Sequence, residues 1–117
     1  MTRRRLALAI LFALFGSAAQ ADPPATKRAY TAEFYLPGCK GFIAGRSDFL
    51  SGRCVGAIEV LDALSHDTKA FCAPDDTNNL ERVRIIVTDI EARPERMKDD
   101  FRLLANEAMA KTWPCKK

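Results

Sequence analysis

Cys39, Cys54, Cys72 and Cys115, the lone His66 and the runs "DDTNN" and "ERMKDD" are the residues of this chain whose types could support chemistry. His66 stands beside Asp67 and six residues before Cys72, so a nucleophile, a base and a carboxylate lie within one short stretch. That chemistry requires a free thiol. No two cysteines have the C-x-x-C spacing of a redox or zinc site, and His66 is not at metal-pair spacing from another ligand type. "DDTNN" offers the oxygen donors of a calcium loop without the required glycine or the glutamate at the twelfth position. These residues therefore read as structural. The cysteines are expected to form two disulfides and "DDTNN" a turn that caps a helix. His66 is expected to be solvated near a helix C-terminus, where a cation complements the dipole. No catalytic residue, metal ligand or cofactor is expected, and the protein is not expected to be an enzyme.

Disulfides need an oxidising compartment, and the N-terminus points to one. "TRRR" is a positive n-region, "LALAILFALF" an apolar h-region and "AQA" a small-residue cleavage site, which together read as a secretory signal peptide over residues 1–21. The apolar run Leu6–Phe15 is half the roughly 20 residues needed to span a bilayer. No cysteine lies in or beside it, so a lipid anchor has no acceptor. Cleavage removes Arg3, Arg4 and Arg5 and no acidic residue, leaving fifteen of the eighteen Lys and Arg against fifteen Asp and Glu. A neutral mature chain with interspersed charges has no nucleic-acid footprint, and after cleavage nothing anchors it to a membrane.

Residues 22–29, within "ADPPATKR" and the alanine after it, suit a flexible leader, and 30–117 form one domain. A core of that size buries only about two-thirds of the surface the unfolded chain exposes, so covalent staples help. Four helices are expected. A short first helix begins at Thr31, after which Pro37, Gly38, Gly41 and Gly45 predict turns and bends. Cys54, Ile58, Leu61 and Leu64 fall at helical spacing in a second helix over about 49–66. "VRIIV" alone would suit a strand, but Leu80, Val83, Val87 and Ile90 make one apolar helical face, and Asn78 with Glu81 forms a capping pair. Pro94 is placed as the first residue of a fourth helix, with Met97, Phe101, Leu104, Ala105 and Ala108 on one face and Lys111 in the last turn.

Short connections make consecutive helices antiparallel neighbours. Cys39, ending the first helix, then shares one end of the bundle with Cys54, and Cys72 in the next loop shares the other end with Cys115 on the tail. Four cysteines allow three connectivities, and this is the one the topology favours.

The ordered motifs "YLPGC", "GRCVGAIEVL" and "FCAPDDTNNLERVRIIVTDIEARPERMKDDFRLLANEAMAKTWPC" resemble the Rap/Tai family of type VI secretion amidase immunity proteins, from about Tyr30 to Cys115. Where such relatives have a glycine-containing turn and a Thr cap followed by Gln, this chain has Asp75-Asp76 and Asn78 with Glu81, which keeps the capping chemistry. The resemblance implies a small helical periplasmic protein, often dimeric, that binds a folded peptidoglycan amidase injected by a competitor and occludes its active site. The connection from Glu91 to Arg96 is the candidate partner-binding segment. Glu91, Arg93, Glu95 and Arg96 are its charged residues, with Arg93 or Arg96 offering a guanidinium fork. As exposed charges they are expected to contribute little to folding. The competing reading is a general periplasmic helper, such as a small helical acid-stress chaperone, which would bind many unfolded clients.

Overall fold

The computed structural model describes residues 28–117; the signal peptide placed at 1–21 and all of the leader except Arg28 and Ala29 lie outside the described residues. The described residues form four helices in order: α1 (Ala32–Ile43), α2 (Phe49–Thr68), α3 (Asn79–Glu91) and α4 (Phe101–Thr112), with a 3-10 turn at Pro94–Arg96 between the last two. The fold is all-α. Helix α1 packs chiefly on α2, and α4 on α3, around a single core containing Tyr35, Ile58, Phe71, Ile86, Ile90, Phe101 and Leu104. The Tyr35 and Phe101 rings stack with centroids 4.5 Å apart, joining α1 to α4. Among the described residues no helix is long and apolar enough to cross a membrane.

Helix α1 runs through Pro37, Gly38 and Gly41, where the sequence predicted turns. The reason is packing. A Cβ on Gly38 would lie 2.2 Å from the Leu50 carbonyl oxygen, and one on Gly41 would lie 3.1 Å from Ser51 Oγ. These glycines let the N-terminal turn of α2 approach α1 closely, a role the sequence cannot distinguish from chain breaking. Only Gly45, at φ +83°, is a true bend. Across the close contact Cys39 is bonded to Cys54, with Cα atoms 5.2 Å apart.

Helix α2 starts at Asp48, whose Oδ1 accepts from the backbone N–H and the hydroxyl of Ser51, both at 2.9 Å. Its core-facing row is Ser51, Cys54, Ile58, Leu61 and Ser65. Leu64, expected on that face, is 52% exposed; Ser65 takes the inward place and donates its hydroxyl to the Asp62 carbonyl at 2.6 Å. His66 is exposed in the last turn, and Lys69 at φ 56° ends the helix.

Helix α3 bears out the helical reading of "VRIIV": Asn78 Oδ1 accepts from the Glu81 N–H at 2.9 Å, and Val83, Ile86, Val87 and Ile90 are buried. Leu80 is exposed, and Arg82 occupies the inward position near the start. Its guanidinium lies 3.2 Å from the Asp62 carboxylate of α2.

The fourth helix does not begin at Pro94. Pro94 opens only the 3-10 turn, and α4 starts at Phe101 after an Asp100 cap. The carbonyls that would continue a helix are taken by the start of α1: Met97 O and Asp99 O accept from the N–H groups of Glu33 and Ala32 at 2.8 and 2.9 Å, and Phe101 N–H donates to Tyr30 O at 2.7 Å. Met97 consequently leaves the α4 face and is only half-buried against the core. At the other end of α4, Cys72 N–H donates to Trp113 O at 2.8 Å, and Cys72 is bonded to Cys115, so the tail is tied down.

Candidate partner-binding surface

The connection from α3 to α4 spans residues 92–100 and is anchored from three sides. On one edge are the backbone bonds to α1 just described. Behind it, Arg93 Nη1 and Arg96 Nη1 both donate to Glu107 Oε2 of α4, at 2.9 and 2.6 Å, and Arg96 Nη2 reaches Oε1 at 3.3 Å. The third anchor is acidic: Asp89 of α3 accepts from Arg93 Nη2 and from Lys111 Nζ, the latter at 2.8 Å, while Asp99 accepts from Arg96 Nε at 2.7 Å.

Glu107 and the two guanidiniums it accepts from stabilise each other's ionised forms. Hydrogen bonds from Arg96 and then Arg93 hold the Glu107 carboxyl below its ordinary value, and both guanidiniums are held correspondingly more basic. Nearby, the Asp100 carboxyl is lowered by its side-chain bond from Arg102.

The four residues proposed from sequence therefore divide into two pairs. Arg93 and Arg96 are only 21% and 29% exposed, and their forks are occupied within the chain. They are not the free, exposed charges expected from the sequence, because three carboxylates converge on them. Glu91 and Glu95 face outward with Pro94 between them, Glu91 lying 3.2 Å from Lys40 of α1. A shallow groove beside them is lined by Glu33, Leu36, Pro37, Lys40, Glu91 and Met97. It continues past Glu33 to a second cleft that includes Tyr30, Phe34, Lys98 and Arg102. Guanidinium groups cover aromatic faces there: Arg53 lies 4.2 Å from the Phe34 centroid, and Arg102 lies 4.5 Å from that of Tyr30.

Sequence reasoning missed Glu107, Asp89, Asp99 and the α1 side of this surface. The i,i+4 spacing of Asp89 with Arg93 was a readable signal. Nothing local tied Glu107 to residues eleven and fourteen positions upstream. Every cysteine is in a disulfide, so His66 has no thiol to activate, and no cluster among the described residues could hold a metal ion.

The described residues form a small helical module in which a braced connection lies beside two grooves. The model of the Rap1a immunity proteins matches residues 17–115, and the chain belongs to that family. No curated protein and no solved structure matches it. Membership in an immunity family implies a binding role rather than a catalytic one.

Proposed function

We propose that this protein is exported by a signal peptide over residues 1–21, acts in the periplasm, and neutralises a type VI secreted peptidoglycan amidase by occluding its active site. The family match over residues 17–115 is the observation that carries the reading. The Glu91–Arg96 connection supports it: Glu91, Pro94 and Glu95 face solvent while Arg93 and Arg96 fasten the segment from behind, so little ordering cost is left for binding. The adjoining α1 groove with Pro37 and Lys40 extends the contact surface. Pairing of two copies belongs to the same reading, with exposed Phe49, Val60 and Leu64 of α2 as the apolar surface available for it.

The test is calorimetric titration of the mature protein into a panel of folded periplasmic amidases, with cell-wall hydrolysis measured in parallel. One amidase bound tightly and inhibited at a stoichiometric ratio is the expected result. Failure to bind any of them, together with binding of several unfolded clients and apolar dyes on acidification, would replace this reading with the periplasmic helper.

A further inference from the structure

Two guanidiniums on one connection are held by a single carboxylate of the next helix, and this points to a role for a residue outside the connection. We propose that Glu107 is the positioning residue of the partner-binding surface, bracing the Arg93–Asp100 segment at neutral pH and releasing it on acidification. The inference rests on the reading of the connection as the partner-binding segment.

Without Glu107 the backbone bonds to α1 still hold Met97 and Asp99, Arg93 keeps Asp89 and Arg96 keeps Asp99, but both of those acids belong to the same continuous stretch of chain as the arginines. Such local pairs fix a side chain against its own turn. Among the described residues Glu107 alone bonds both guanidiniums directly to α4, whose buried Phe101, Leu104, Ala105 and Ala108 seat it in the core; the tie through Asp89 to Lys111 serves Arg93 alone. The charged groups facing the brace are Asp89 of α3, Arg93, Arg96 and Asp99 of the connection, and Lys111 of α4 through Asp89. Protonating Glu107 replaces an acceptor of charge-assisted bonds by a neutral acid and leaves two like charges facing each other. Its carboxyl is held below the ordinary 4.5 by those same bonds, so release falls on the acid side of that value.

The brace is tested on the free protein by amide exchange, corrected for the intrinsic effect of pH. The reporters are the N–H groups of Arg93, Arg96 and Asp99, which donate to Ile90, Arg93 and Arg96 carbonyls at 2.9 to 3.0 Å. Wild-type protection should fall as the pH drops through the carboxylate range. E107Q should already show about tenfold less protection at all three amides at neutral pH, with a weaker further response to acid. D89N, which removes one arginine's local partner, should affect the Arg93 end alone. Wild-type protection and an unchanged pH profile in E107Q overturn the proposal. Should E107Q fail to fold, the R93K/R96K double variant, which keeps both charges and removes both forks, replaces it, and wild-type protection there overturns the proposal equally. With an amidase that wild-type protein binds, E107Q should associate more slowly and bind about tenfold more weakly. Unchanged affinity despite fast exchange removes Glu107 from recognition. Absence of any amidase that binds wild type refutes the functional reading and leaves the exchange result to decide the brace.

Discussion

At the residue scale, two kinds of glycine in α1 and α2 have opposite meanings. Gly38 lies under the Leu50 carbonyl, whereas a Cβ on Gly52 would meet nothing within 4 Å. Gly38→Ala should destabilise the protein by about 1–3 kcal/mol or more, because backbone must move to admit the methyl group. Gly52→Ala should stabilise it by roughly 0.5–1 kcal/mol through helix propensity alone. Urea denaturation of both variants reads the contrast, and equal effects of one sign would refute the close-approach account. The arginines of the connection give a second prediction. Charge reversal at Arg93 and Arg96 together places two new carboxylates among Asp89, Asp99 and Glu107, so thermal stability should fall along with partner affinity. A melting temperature equal to wild type's would show that the network does not contribute to the fold.

Elements here are held by staples whose separation in sequence sets their effect. The Cys39–Cys54 bond closes a separation of 15 residues and the Cys72–Cys115 bond one of 43. Chain entropy assigns them roughly 3 and roughly 4 kcal/mol. Replacing Cys72 and Cys115 together by Ser should therefore cost more than replacing Cys39 and Cys54, provided the close α1–α2 packing survives, and equilibrium unfolding of the two double variants measures the order. The cap on α3 is a smaller local contribution. Asn78→Ala leaves the Glu81 N–H without its acceptor and should cost about 1 kcal/mol, detectable in the same unfolding experiment.

For the whole molecule, the acid response follows from linkage. Glu107 has a folded-state affinity for protons below its unfolded value, so the unfolded chain binds more protons as the pH approaches 4.5. Its stabilising contribution is therefore complete above that value and is lost as the pH falls through the lower folded-state value. Asp100, lowered by Arg102, adds a change of the same sign around its ordinary 3.8. Thermal melts across the acid range should show wild type losing stability there and E107Q losing less, although E107Q starts lower at neutral pH. Parallel curves would mean that Glu107 does not contribute to the acid transition.

Sequence by itself determined those features whose physics is local or covalent. The Asn78 cap and the i,i+3/i+4 row of α3 identified that helix despite its β-branched run, because capping and periodicity act within one turn or two. Even cysteine number, absence of C-x-x-C spacing and short connections favoured this pairing among three, since antiparallel helices bring cysteines at the same end together, and the structure has both bonds. The outward Glu91 and Glu95 were legible as polar residues at a proline-bearing connection. Only the tertiary structure decided that Gly38 and Gly41 continue a helix, because their function is to make room for a segment distant in the final packing. It alone decided that the chain from Met97 to Asp100 turns aside, because its backbone groups bond to α1 rather than to their own neighbours. Arg93 and Arg96 were visible as charges, but whether their forks face a partner or an internal carboxylate depends on where α4 sets Glu107. That choice is made by the core packing of Phe101, Leu104 and Ala108, which no spacing within the connection encodes.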